Sequence, residues 1–185
     1  MGAAAAFTPE KLVVGVLQSR PGRRGELLAL LGERWGPLDF SSDPFPFTFT
    51  DYYDAEMGRP IERFFVSFER LVDPSLLAGI KRETNGIEDR FREEGSRKAN
   101  LDPGLLSLSR FSLATTKESA HRIPLSEGIY AEITLRYEKG SFRPLAWTYP
   151  DFRSERYLAL LNEIRARYKA QLAASAAGAA GSARR

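Results

Sequence analysis

The chain has 185 residues, with 27 Lys and Arg against 24 Asp and Glu, one histidine and no cysteine. The lack of cysteine excludes a disulfide scaffold, a cysteine nucleophile and the commonest structural zinc sites. The formal charge of +3 includes Arg184 and Arg185 at the very end, so the body lacks the concentrated basic face that marks a nucleic-acid binder, and no apolar run reaches the ~18 residues of a membrane helix.

The start, Met1 to Lys11, has neither the basic region nor the apolar core of a signal peptide, which predicts a cytoplasmic protein. Lys11 to Gln18 is a β-branched run that reads as a buried first strand. After the turn S-R-P-G-R-R-G, Leu27, Leu28, Leu30, Leu31 and Trp35 mark an amphipathic helix closed by Gly36-Pro37. Phe45, Phe47 and Phe49 alternate with Pro46, Thr48 and Thr50, a strand pattern whose prolines place it at an edge. Ile61 to Phe68 is a further strand, with Phe64, Val66 and Phe68 on one face. Asp73-Pro74 caps a helix whose stripe runs Leu76, Leu77, Ile80, Thr84, Ile87 and Phe91.

Asn100 to Gly104 (N-L-D-P-G) reads as a turn, because Asp before Pro is driven out of the helical region and Gly permits positive φ. Leu105 to Thr116 is strand-like. Ile129, Ala131, Ile133, Leu135 and Tyr137 alternate with Tyr130, Glu132, Thr134 and Arg136, which predicts a half-buried strand with a polar outer face. Glu138 to Ser141 turns a hairpin into Phe142 to Trp147. Tyr149-Pro150-Asp151 ends that strand, and a last helix from Ser154 carries Tyr157, Leu160, Leu161, Ile164 and Tyr168. From Ala173 the chain is Ala, Gly and Ser, a composition that cannot bury a core.

The order β-α-β-β-α-β-β-β-α predicts one α+β domain over residues 11–171. Residues 1–10 read as a disordered extension and 172–185 as a disordered tail. The expected architecture is a mainly antiparallel sheet with helices on one face. Its first six elements follow the ferredoxin-like βαββαβ order, with a β-hairpin and a C-terminal helix added.

The motifs T-D-Y-Y-x-x-E-M-G, N-L-D-P-G, L-A-T-T-K-x-x-x-H-R-I, G-I-Y-A-E-I-T-L and W-T-Y-P-D-F-R, in this order between Lys11 and Gln171, resemble an uncharacterised bacterial family, domain-of-unknown-function family 4416. The resemblance implies a small single-domain protein without an assigned reaction, cofactor or catalytic residue. No phosphate-binding G-x-x-x-x-G-K-[ST] loop is present.

Thr115, Thr116, Lys117, His121 and Arg122 place hydroxyls and potential cations within eight residues. Such a set can hold phosphate or carboxylate without a phosphate-binding loop. It also reads as a solvated hairpin end whose charges pair with Glu118 and Glu127. His121 is the first candidate for proton transfer, and Glu132 is its candidate orienting carboxylate. Thr116, Lys117, Arg122, Thr134, Asn100 and Asp102 are the candidate ligand contacts. Asp51, Asp54, Glu56 and Asp102 could offer oxygens to Mg²⁺, but their spacing is that of a solvated acidic loop, so no metal site is assigned. The expected partner is a small anionic ligand, a nucleotide or a phosphorylated metabolite. The alternative is a non-enzymatic module binding protein or RNA through an aromatic sheet face of Phe45, Phe47, Phe49, Tyr52 and Tyr53. The sequence names no cofactor and no oligomeric state.

Overall fold

Every residue of β1 (Glu10–Gln18) is buried in the computed structural model, which describes residues 2–182. Leu12, Val14 and Val16 enter one core and Val13 the core on the opposite face. A strand buried on both faces reads as a continuous apolar run rather than an alternation. The chain continues through α1 (Arg24–Trp35), β2 (Leu38–Ser41), β3 (Phe45–Pro46), α2 (Asp54–Met57) and β4 (Glu62–Val72). Then come α3 (Leu77–Arg90), the small hairpin β5 (Arg92–Glu93) and β6 (Ser96–Arg97), β7 (Ala99–Leu106) and β8 (Arg110–Thr115). β9 (Ile123–Pro124), β10 (Tyr130–Glu138), β11 (Ser141–Pro144) and α4 (Glu155–Ser182) complete it.

The main sheet has the order β11-β10-β8-β7-β1-β4-β2, with β3 beside β4 and β9 beside β10. All its pairings are antiparallel. Its half β7-β1-β4-β2, with α1 and α3, has the βαββαβ connectivity of a ferredoxin-like unit. The fold is thus α+β with an antiparallel sheet, as expected, and β8, β10 and β11 extend it.

The helices do not all share one face. α1 and α3 cover Leu12, Val14, Val16, Phe64, Val66 and Phe68. α4 covers the opposite face, where Tyr157, Leu161, Ile164 and Tyr168 pack on Val13, Phe65, Phe111 and Leu135. The reason is that β1, β4 and β8 are apolar on both sides, so one helical layer would leave Phe65 and Phe111 in water. At about 25 cal/mol per Å² of apolar surface, covering these two Phe side chains contributes about 1.5–3 kcal/mol each toward docking the second layer.

Three local expectations are corrected. The Phe45–Thr50 strand pairs only at Phe45 and Pro46; beyond them Phe47 and Tyr53 turn inward onto Leu17, Met57 and Ile61. N-L-D-P-G is not a turn but the middle of β7. Pro103 is tolerated there because the β7–β8 ladder starts only at Gly104–Leu113, which leaves this part of β7 paired with β1 alone. The Leu105–Thr116 segment is not one strand but the end of β7, a turn held by the Ser107 hydroxyl, and β8.

The predicted helix cap is present: Asp73 accepts from the Ser75 N–H at 2.8 Å. α4 runs on to Ser182, through segment 172–182 that composition alone gives to a disordered tail. Alanine has the highest helix propensity, so such a run extends a helix already nucleated upstream. Ala173 to Ala177 stay exposed, without a core of their own. Residues 183–185 of the predicted tail lie outside the described residues. No helix among those described is long and apolar enough to cross a membrane.

Candidate functional site

Two polar networks lie on the α4 face of the sheet. The first is centred on Arg63 in β4, which is 1% exposed. It pairs with Leu17 across β1 and points, like Phe65, away from α1 and α3. Its Nε donates to the Tyr157 hydroxyl at 3.0 Å, Nη1 to Asp102 at 2.9 Å and Nη2 to Asp151 at 3.1 Å. The guanidinium lies against Gly15, where a Cβ would come within 2.9 Å of Nη1. Phe47, Phe65 and Tyr157 surround it at ring distances of 5.4 to 5.7 Å.

From Asp102 the network continues outward. Asn100 Nδ2 donates to Asp102 Oδ1 at 2.9 Å, and Arg97 Nη1 donates to Asn100 Oδ1 and Glu88. Arg97 also grips Glu56 with Nε and Nη2. Glu88 accepts from the Leu101 N–H, tying α3 to β7.

The charges follow from this geometry. Burial works against the Asp102 carboxylate, but Arg63 and Lys81 outweigh it and hold its pKa below the ordinary value. Burial dominates at Asp151 and raises it, with Arg63 opposing. Burial also pushes the Tyr157 hydroxyl up to about 12 and raises Tyr53, which feels the Asp102 charge. Arg63 stays charged: burial pulls its pKa down, but Tyr157, Asp102 and Asp151 hold it above its ordinary value.

The second network is built on Glu132 of β10. Glu132 is expected on a polar outer face, yet it is 2% exposed, Thr134 is fully buried and Ile133 is 41% exposed. A bulge between Ile133 and Leu135 puts Glu132 and Leu135 on one face, opposite Leu113 and Phe111 of β8. The segment 145–149 then covers the open side of β10. The Trp147 indole donates to the Ile133 carbonyl at 2.9 Å and the Thr148 hydroxyl to the Thr134 carbonyl at 2.5 Å.

Glu132 Oε2 receives His121 Nε2 at 3.0 Å and Arg122 Nε at 2.9 Å. A carboxylate only accepts, so Nε2 carries the hydrogen and Nδ1 of a neutral ring is the free acceptor. Nδ1 faces the Ser119 hydroxyl at 3.1 Å. The imidazole stacks on Trp147 with 5.1 Å between centroids and 16° between planes. Arg122 Nη1 donates to the Lys117 carbonyl and Nη2 to the Tyr149 hydroxyl at 2.6 Å. Burial opposes the Arg122 charge, but Glu132 and Tyr149 raise its pKa.

The predicted residues therefore separate into two groups. His121, Arg122, Glu132 and Thr134 come together, with the Thr134 hydroxyl 3.4 Å from Glu132 Oε1. Lys117 stands at their rim, its Nζ 4.7 Å from the Tyr52 ring centroid. Thr116 is exposed, and among the described residues its side chain takes no hydrogen-bond partner. Asn100 and Asp102 belong instead to the Arg63 network. The anticipated pairing with Glu127 is not made; Glu127 pairs with Arg82.

The acidic loop is dispersed onto separate arginines, Asp54 to Arg59 and Glu56 to Arg97. No group of three metal-binding side chains occurs among the described residues. Nor does the aromatic stripe form a platform: Phe45 is buried, and Phe47 and Tyr53 pack inward.

Sequence reasoning missed Arg63, Asp151, Tyr157 and Ser119. One signal was available for Arg63, an arginine at an inward position between apolar residues of I-E-R-F-F-V-S-F. Clefts of about 410 and 170 Å³ lie elsewhere, the first against Arg20, Glu93 and Lys98, the second against Trp35, Arg70 and Leu76. The His121 rim is open instead, with Trp147 and Tyr149 each 41% exposed.

The chain belongs to the family described as domain of unknown function (DUF4416), whose model matches residues 8–168. No curated protein matches it. No solved structure matches it either.

Proposed function

We propose that the protein binds a small anionic ligand, a nucleotide or phosphorylated metabolite, at the rim formed by Lys117, His121 and Arg122, with His121 as the proton carrier. One observation carries this reading. A single buried carboxylate, Glu132, takes both His121 Nε2 and Arg122 Nε, so the half-buried imidazole is fixed in place and in tautomer. Around that one buried negative charge stand the cations of Arg122 and Lys117, with Glu118 exposed to water beside Lys117. Among the described residues, Lys117 Nζ meets only the Tyr52 hydroxyl and ring and keeps donors for a ligand. Two cationic side chains beside a fixed imidazole suit an anion that must also exchange a proton.

Calorimetric titration with nucleotides, phosphorylated metabolites and inorganic phosphate tests this. Lys117→Ala is the variant of choice, because Lys117 is exposed and its loss leaves the fold intact. Binding weakened about tenfold in Lys117→Ala is expected for one lost charge-assisted contact. No binding by the native protein, or binding unchanged in the variant, refutes it.

A second reading is favoured by a separate observation. Ile123, Leu125, Ile133, Trp147 and Tyr149 are 41 to 61% exposed on β9, β10 and the segment beside them. That concentration suits a protein partner better than RNA, since the predicted stacking platform is not formed. Sedimentation of the purified chain with lysate fractions, with and without nuclease, separates the two partner types.

A further inference from the structure

We propose that Ser119 is a nucleophile, activated by His121 and Glu132, and that the reaction is hydrolysis of a carboxylic ester carrying an anionic group. The anionic group of the substrate rests on the reading above, while the nucleophile itself needs only the His121–Glu132 pair.

The geometry runs in one line: Ser119 Oγ to His121 Nδ1 at 3.1 Å, then His121 Nε2 to Glu132 Oε2 at 3.0 Å. Each link has a defined direction. Glu132 can only accept, so it fixes hydrogen on Nε2, and Nδ1 is left as the base facing the hydroxyl. Flipping the ring would set carbon atoms against both partners, so the two contacts support one another. The nitrogens exchange the roles they have in the serine protease triad, but the requirement is the same: base on the hydroxyl, carboxylate on the far N–H.

The carboxylate is 2% exposed and also held by Arg122, while the imidazole is 23% exposed. The base is thus rigid from behind and open in front. Trp147 stacks on one face of the ring and limits its rotation. Ser119 is followed by Ala120 and His121, whose N–H groups take no acceptor among the described residues. The N–H after a nucleophile is a common donor to the oxyanion. Lys117, two residues before Ser119, and Arg122 supply the preference for an anionic substrate.

In the reaction, Nδ1 takes the Ser119 proton as Oγ bonds to the ester carbonyl carbon. The ester C–O bond breaks, and the alcohol leaves with the proton from Nδ1. Water then attacks the acyl-serine and gives a proton to Nδ1. The acyl–Oγ bond breaks, Oγ recovers that proton, and the net change is ester plus water to acid plus alcohol.

The test is covalent labelling of the full chain with a fluorophosphonate probe, followed by peptide mapping. Oγ bonds to phosphorus, fluoride leaves, and the hydroxyl proton passes to Nδ1. Labelling at Ser119 is expected to exceed that at the exposed Ser126 by about 100-fold or more. It should fall by about the same factor in His121→Asn, the usual range for loss of a general base, and vanish in Ser119→Ala. No adduct, equal rates at Ser119 and Ser126, or a rate unchanged in His121→Asn overturns the proposal. Phosphate binding by the native protein keeps the two readings apart: its absence with Ser119 still labelled overturns the anion rim alone, and failed labelling with phosphate bound overturns Ser119 alone.

Discussion

Replacing Arg63 by Met is the sharpest test of what holds α4 and the loop before it to the sheet. Methionine fills a similar volume among Phe47, Phe65 and Tyr157 but removes all three donors. Asp102 would then keep Lys81 but lose its paired guanidinium, Asp151 would lose Arg63, and Tyr157 would lose its donor. Breaking a buried ion pair by removing one member costs about 3–5 kcal/mol. For a domain of this size that is a fall in Tm of roughly 6–20 °C, and a large part of the total stability of about 5–15 kcal/mol. Arg63→Lys should fall between the two, since one ammonium cannot reach three acceptors set around a planar fork. Urea unfolding at about pH 7 and about pH 3, on either side of the ordinary carboxylate range, supplies the second half of the test. In the native protein the Asp102 pKa is lowered, so its contribution is present above its unfolded pKa and is lost as pH falls through the folded one. Asp151 is raised, so its burial cost is relieved as pH falls through its folded pKa. In Arg63→Met burial acts on both carboxylates with Arg63 gone and Lys81 left to oppose it at Asp102, so both move toward protonation. The deficit of the variant should therefore narrow on acidification. A loss under about 1 kcal/mol, the scale of a surface pair, or a deficit independent of pH refutes this account of the network.

Gly15→Ala would bring a methyl within 2.9 Å of Arg63 Nη1 and 3.1 Å of Phe65, and overpacking of this kind should cost about 1–3 kcal/mol in urea unfolding. Gly104→Ala should cost more, because its Cβ would meet the Phe111 ring at 2.6 Å and the Ser112 carbonyl oxygen at 2.8 Å, and backbone gives way less than a side chain. Gly86→Ala lies in the exposed middle of α3 with nothing within 4 Å, and should raise stability by about 1 kcal/mol; a loss would mean that α3 needs its flexibility. His121 is the only histidine, so its ring nitrogens can be read without ambiguity by nuclear magnetic resonance. The neutral ring should carry its hydrogen on Nε2, and an Nδ1–H tautomer would contradict the Glu132 contact.

Chain order and the antiparallel sheet were legible because they follow from apolar period and from turn residues that act locally. Phe64, Val66 and Phe68, the Asp73 cap and the Tyr157–Tyr168 stripe lie where the pattern puts them. The second helical layer was not legible, because a strand buried on both faces and a strand buried on one differ only in residues such as Val13 and Phe65. Those have a meaning only once α4 has a place to dock. Glu132 was placed on the right strand and the wrong environment for a related reason. A bulge adds one residue and reverses the face of everything after it, and the sequence E-I-T-L carries no glycine or proline to mark it. Pro103 misled in the opposite sense. Its turn chemistry is real in isolation, but a position where β7 is paired only with β1 accommodates it without loss.

The partition of the motifs also has a physical logic. D-Y-Y and T-Y-P-D-F each send one member to the Arg63 network and one to the neighbourhood of Glu132, while N-L-D-P-G sends both Asn100 and Asp102 to the Arg63 network. Tyr53 feels Asp102, while its neighbour Tyr52, 5.1 Å away ring to ring, meets Lys117. Asp151 takes Arg63, while Tyr149 takes Arg122. Two loops therefore touch both networks, one through adjacent tyrosines and one through residues two apart. The Arg63 network is buried and fully paired, which suits it to hold those loops still. The Glu132 network leaves an imidazole, a serine hydroxyl and an ammonium facing water, which suits it to react or bind. A rigid buried anchor that fixes the loops around a partly open polar group is the arrangement that keeps reacting groups in position. On this reasoning Arg63→Met should lower His121-dependent labelling of Ser119 even where the protein remains folded, although Arg63 contacts neither residue.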